Sequence, residues 1–213
     1  MESKKYLDDI SEIKTMMSRS SRFISLSGLS GILAGIYALI GAVLAHFRIT
    51  AFNSYDYTES TGIALGRYQN HLVRDLGFIA IAVIALAIIT AVVLSSRKAK
   101  KSGEKLWNVS SKRLVINFFI PLVAGGIFCM VLLQYGILGL VSPATLIFYG
   151  LACVNASKYT LGDVRYLGIT NIILGLVATQ FIGYGLYFWA VGFGLLHIIY
   201  GASMYYKYDR KEN

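Results

Sequence analysis

Apolar positions in this chain gather into six long runs separated by short polar stretches: residues 23–47, 76–94, 114–135, 138–154, 166–182 and 184–205. Each run is 17 to 25 residues long, and none contains Asp, Glu, Lys or Arg. An α-helix needs about 20 mainly apolar residues to carry the chain across roughly 30 Å of hydrocarbon. A charge at that depth costs about 2.5–3.5 kcal/mol on insertion scales. The pattern therefore predicts an all-α polytopic membrane helix bundle with six transmembrane helices. Only Gly183 separates the last two runs, with Gly185 close behind, so the turn between them has to be tight.

The polar intervals have patterns of their own. Ahead of the first run, Tyr6, Ile10, Ile13 and Met17 recur at helical spacing, with Leu7 and Met16 widening the stripe. Lys4, Asp8, Asp9, Glu12 and Lys14 lie off that stripe, so residues 1–22 predict a cytoplasmic amphipathic helix. Its polar face mixes both signs of charge, whereas a helix lying on lipid usually has a basic one. Docking of residues 3–20 on a partner protein, or on a second copy in a homo-oligomer, competes here with packing beneath the chain's own bundle. Residues 48–75 read as a loop, irregular through Tyr55-Asp56-Tyr57 and Gly62, with helical spacing from 63 that extends the second span outward. The bundle then occupies 23–206, and 207–213 form a short cytoplasmic tail.

Composition agrees with the runs: 56% of residues are hydrophobic and only 15% are charged, with a mean hydropathy of +0.60. A soluble domain holds about 25% charged residues. The intervals between runs are also too short to fold alone. A soluble catalytic or DNA-binding domain is excluded. The +9 net charge is distributed very unevenly. Seventeen Lys and Arg fall in 1–22, 95–113, 155–165 and the tail, against three in 48–75 and none in the other two turns. Basic residues stay on the cytoplasmic side, so both termini are expected there. Arg97, Lys98, Lys100, Lys101 and Lys105 head the densest cluster. They read as a topology determinant and as candidate contacts for anionic headgroups of the lipid bilayer. No segment interleaves basic and aromatic residues on a platform, which argues against nucleic acid as a ligand. The first run is too long for a cleaved leader and is expected to remain as an anchor. Cys129 and Cys153 both lie inside runs, so no disulfide framework is expected.

Two features bear on helix packing. Ser27, Gly31 and Gly35 sit four apart on the first run, and Gly168, Gly175 and Ala178 form a similar face on the fifth. Small residues let helix backbones approach closely, which is how helices gain contact in lipid. A shift of 46 residues aligns Gln134 with Gln180, Gly139 with Gly185, and Ala156-Ser157 with Ala202-Ser203. A shift of 90 aligns Ser20-Ser21-Arg22 with Ser110-Ser111-Lys112. Three tandem parallel hairpins would produce this, and so would chance matching in low-diversity apolar sequence.

The search for chemistry returns little. HExxH, CxxC, GxSxG and GxxxxGK[ST] are all missing from the sequence, and no catalytic residue, cofactor or metal site is expected. Uncharged polar residues do occur at depth: Asn117, Gln134, Asn155, Asn171, Gln180 and His197. Hydrogen bonds between helices would fix register at about 0.6 kcal/mol each. Alternatively, Gln134, Asn171, Gln180 and His197 line a pocket for a neutral or lipid-like molecule, and His197 beside the basic face leaves room for a membrane enzyme. The leading expectation is a non-catalytic integral membrane protein that acts through a partner or an oligomer.

The runs Ser21-Arg22-Phe23-Ile24-Ser25-Leu26-Ser27-Gly28-Leu29-Ser30-Gly31 and Gly192-Phe193-Gly194-Leu195-Leu196-His197-Ile198-Ile199-Tyr200-Gly201 resemble those of uncharacterised six-span bacterial integral membrane proteins. The resemblance implies a bacterial cytoplasmic (inner) membrane and carries no activity.

Overall fold

The computed structural model describes residues 23, 26–56, 62–103 and 107–209, with side chains at 53–56 and 62–70 left out. The predicted amphipathic helix at 3–20 and Lys105 lie outside the described residues. Among the described residues six helical elements form the bundle: α1 (Gly28–Asp56), α2 (Gly62–Lys101), α3 (Val109–Gln134), α4 (Val141–Ala156), α5 (Asp163–Ala178) and α6 (Gly185–Asp209). No strand occurs among the described residues. Short 3₁₀ turns at Leu138–Leu140 and Ser157–Tyr159 flank α4. The helix α6 is irregular, with π-helical stretches at Ala190–Leu195 and Tyr205–Asp209.

Among the described residues, five segments are long and apolar enough to cross a membrane: Gly28–Phe52, His71–Lys101, Val109–Gln134, Leu138–Tyr159 and Gly185–Asp209. The fifth predicted span, 166–182, is not among them. Helix α5 has 16 residues, about 24 Å at 1.5 Å per residue, and ends where Thr179–Tyr184 turn around Gly183 at φ 99°. That positive φ is why glycine stands at this turn. The predicted loop 48–75 needs the opposite correction. Helix α1 runs on to Asp56, because a helix keeps its own backbone hydrogen bonds when it leaves lipid for water, while α2 starts at Gly62, in line with the helical spacing from 63.

Helices α1 and α6 cross antiparallel on glycine. A methyl group at Gly31 would lie 3.1 Å from Gly201 Cα, and one at Gly35 would lie 2.6 Å from the Gly194 carbonyl. Helices α4 and α5 repeat the device, where a methyl at Gly168 would sit 2.6 Å from the Gly150 carbonyl. Ser27 joins neither contact, because it precedes α1 and its hydroxyl lies 3.4 Å from Asp209 Oδ2. Helix α6 packs chiefly on α1, and α5 chiefly on α4. The last two helices are therefore not the close-packed third hairpin that a tandem repeat would produce.

At the edges of the bundle, α2 rests on α1 and α3 on α4. Their outer faces display large apolar side chains, with Ile81 at 65% and Ile120 at 61% exposure. Contiguous apolar surface of this extent is an aggregation liability in water and ordinary against lipid.

Two local arrangements fix where helices begin. Asn108 caps α3: its Oδ1 accepts from the Ser111 amide, while the Asn108 amide donates to Ser111 Oγ, both at 2.8 Å, a reciprocal capping box. Phe23 precedes α1 in non-helical backbone, where its amide donates to the Tyr159 carbonyl and its carbonyl accepts from Thr160 Oγ1, both at 2.8 Å. This clamp holds the chain off helical geometry at Phe23, so α1 begins five residues later than the apolar run.

Candidate functional site

The polar side chains at depth are best followed from the backbone groups they meet. Pro121 lies inside α3, and a proline has no N–H to give the carbonyl four residues earlier. That carbonyl belongs to Asn117, and Asn155 Nδ2 of α4 donates to it at 2.8 Å. In α6, the π-helical stretch sends the Leu196 amide to the Val191 carbonyl. In an α-helix that amide would have reached Gly192. The Gly192 carbonyl instead meets His197 Nδ1 at 2.9 Å. At both places an irregular turn frees an acceptor, and a side chain supplies the donor that hydrocarbon cannot.

The second nitrogen of His197 is also engaged. A carbonyl only accepts, so Nδ1 carries the hydrogen, and in the neutral ring Nε2 accepts from Tyr149 Oη of α4 at 2.7 Å. Around this pair, Tyr149 stands edge-on to Phe118 with centroids 5.9 Å apart. Phe193 lies 5.0 Å from the Tyr149 ring and 5.9 Å from the His197 ring, and Trp189 is 5.0 Å from Phe193. Each of these separations falls within the 4.5–7 Å range of favourable aromatic pairs. His197 is buried and Asn171 is fully so.

Asn171 uses one end of its amide: Nδ2 donates to the Leu167 carbonyl one turn earlier at 3.0 Å, and Oδ1 accepts no hydrogen bond. Gly192 lies directly opposite, since a methyl group there would sit 2.8 Å from Oδ1. The cluster is packed shut on this side. Chemically, Tyr149 and His197 can share a proton across one hydrogen bond, but at Gly192 there is no space for even a methyl group.

Of the residues expected to line a pocket, Asn171 and His197 come close together against Gly192, on α5 and α6. Gln134 and Gln180 do not join them. Both are exposed, Gln134 at the last position of α3 and Gln180 in the turn after α5, where Nε2 reaches only Thr179 Oγ1 at 3.2 Å. Their apolar flanks suggest depth, yet the turns at Gly136 (φ 72°) and Gly183 (φ 99°) bring both to a bundle end. Tyr149, which completes the cluster, carries no sequence signal beyond its place in an apolar run.

The basic cluster also divides. Arg97, Lys100 and Lys101 are exposed. Lys98 is withdrawn from any headgroup contact, because its Nζ lies 2.6 Å from Asp209 Oδ1 and both side chains are only 13% exposed. Asp209 Oδ2 accepts from the Gly28 amide at 3.0 Å, placing a carboxylate at the N-terminus of α1, where the helix dipole favours one. One carboxylate thus joins the start of α1, the last turns of α2 and the end of α6. Nearby, Lys207 lies 3.1 Å from both oxygens of Asp163 at the first position of α5.

Among the described residues no three His, Cys, Asp or Glu side chains converge as a metal site would require. Comparison with known proteins returns no match, whether to family models, curated proteins or solved structures.

Proposed function

We propose that this chain is a non-catalytic integral membrane protein that works by association, with a partner protein or with further copies of itself. The supporting observation is how its deep polar groups are used. Asn155 serves the carbonyl that Pro121 frees, His197 serves the carbonyl that the π-helical turn frees, and Tyr149 satisfies the remaining histidine nitrogen. Groups so occupied are not offered to a ligand, and the unpartnered Asn171 Oδ1 is closed off by Gly192. The carrier reading also needs Gln134 and Gln180 near His197, and both are exposed at helix ends.

On this reading the protein resides in a bacterial cytoplasmic membrane with six crossings and both termini cytoplasmic. The seventeen-to-three distribution of Lys and Arg supports that orientation. The amphipathic stripe at 3–20 is the natural point of association. The test is the particle mass of the full-length chain in lipid nanodiscs extracted directly from membranes, compared with a chain lacking residues 2–18. A mass above one copy that falls on deletion is expected, and an identical mass for both chains would refute the proposal.

A further inference from the structure

Where the apolar runs of α1 and α2 give way to polar sequence, inside both helices, a groove of about 300 Å³ opens between them, lined by Leu44, Phe47, Arg48, Asp75, Phe78 and Ile79. Its floor is apolar. Phe47 and Phe78, at 66% and 64% exposure, reach out along its sides. Its mouth is charged: Arg48 Nη1 lies 3.9 Å from Asp75 Oδ2, and Arg74 Nη2 lies 3.5 Å from Asp75 Oδ1. Two guanidinium groups therefore share one carboxylate, which leaves a net positive charge. Both contacts are long for hydrogen bonds, and the arginine side chains remain 64% and 58% exposed. Each guanidinium has five N–H donors in a planar fork suited to phosphate. Only three of the twenty Lys and Arg fall in 48–75; of these, Arg48 lines the groove and Arg74 reaches the same carboxylate, Asp75, at its mouth.

We infer that this groove binds one anionic phospholipid, with its phosphodiester at Arg48 and Arg74 and an acyl chain along Leu44, Phe47, Phe78 and Ile79. The volume accommodates about ten water-sized groups, at roughly 30 Å³ each, enough for part of one chain. The two arginines stand just beyond the apolar runs 23–47 and 76–94, where long basic side chains meet the headgroup level. A zwitterionic lipid fills the same groove but brings its own cation to a site that already has a surplus of positive charge. The inference rests on the membrane-embedded bundle and is independent of the proposal about association.

The test is lipid retention by the purified full-length protein in mild detergent, read by native mass spectrometry. The protein is offered equal amounts of phosphatidylglycerol and phosphatidylcholine with identical chains. One phosphatidylglycerol per chain is expected, in about tenfold excess over phosphatidylcholine. R48Q/R74Q should abolish the excess, whereas R97Q at the opposite end should leave it intact. Equal retention of the two lipids by the unaltered protein overturns the inference without recourse to a variant, and so does an excess that survives R48Q/R74Q. L44W fills the groove and keeps both arginines, so it should release the lipid, and undiminished retention would remove the acyl-chain assignment. Free glycerol phosphate at the same concentration should not compete. Displacement by it would show that only the phosphate is recognised and would overturn the lipid assignment. Resistance of the protein to carbonate extraction from membranes checks the embedded bundle separately, so the two readings fail by different results.

Discussion

The ion pair between Lys98 and Asp209 gives the sharpest energetic prediction, because a single carboxylate holds three elements together. In D209N the Lys98 ammonium loses its partner at 2.6 Å while remaining in a site where the two side chains are only 13% exposed. Removing one member of a fully buried pair costs about 3–5 kcal/mol, mainly because the other charge is stranded, and this pair is part-buried. Asparagine keeps an acceptor for the Gly28 amide, so the lower end applies, about 3 kcal/mol, or roughly a hundredfold in the folding equilibrium. K98M should cost less, about 2 kcal/mol, since Asp209 still faces the positive end of α1. The double variant strands no charge and keeps the Gly28 acceptor, so it should lose only about 1–2 kcal/mol, chiefly the attraction between a full carboxylate and the N-terminal dipole of α1. The two substitutions are therefore strongly non-additive, with a coupling of about 3 kcal/mol. Reversible unfolding by steric trapping in bicelles measures all four proteins, and the coupling should change little with salt because the pair is shielded from screening. A loss below about 0.5 kcal/mol for D209N, or single effects that simply add in the double variant, would refute the assignment of this pair as a buried lock.

The glycine contacts predict an asymmetry between two conservative changes. G201A places a methyl 2.5 Å from the Ile32 amide nitrogen, a backbone overlap that should cost about 1–3 kcal/mol by the same unfolding measurement. In contrast, G126A meets nothing within 4 Å and should be neutral or stabilising by up to about 1 kcal/mol; equal effects would mean that the α1–α6 crossing is looser than described. For the Tyr149 and His197 pair, Y149F should cost about 1–3 kcal/mol by leaving His197 Nε2 without a donor, and T160V should cost a similar amount by removing the hydroxyl that holds the Phe23 carbonyl. Unchanged stability in both would show that these buried bonds are not formed.

The helices were legible because lipid imposes one rule on every residue of a span, and an uncharged apolar run records it directly. The small residues at Gly31 and Gly35 were legible for a related reason: four-residue spacing fixes a helix face whatever that face meets. What the pattern does not record is where an apolar run stops being helix. Residues 23–27 and 179–183 are as apolar as their neighbours, yet the clamp at Phe23 and the turn at Gly183 end α1 and α5 inside the runs. Gln180 looks deep for that reason, and Gln134 because its flanks are apolar although it ends α3. The π-helical turn at Ala190–Leu195 changes hydrogen-bond register without changing composition, so Gly192 gave no sign that its carbonyl would meet His197. Lys98 looked like one more exposed base because its partner, Asp209, lies 111 residues away.

The claim beneath all of this is that hydrocarbon, not water, surrounds the outer face of α2. Spin labels placed singly at Ile81, Ile84 and Ile88, which are 65%, 54% and 47% exposed, measure that environment in reconstituted vesicles. Collisions with dissolved oxygen should far exceed collisions with a water-soluble nickel chelate at all three positions, with the greatest ratio at the site nearest the bilayer centre. A chelate accessibility equal to that of a label on an exposed loop would contradict the account.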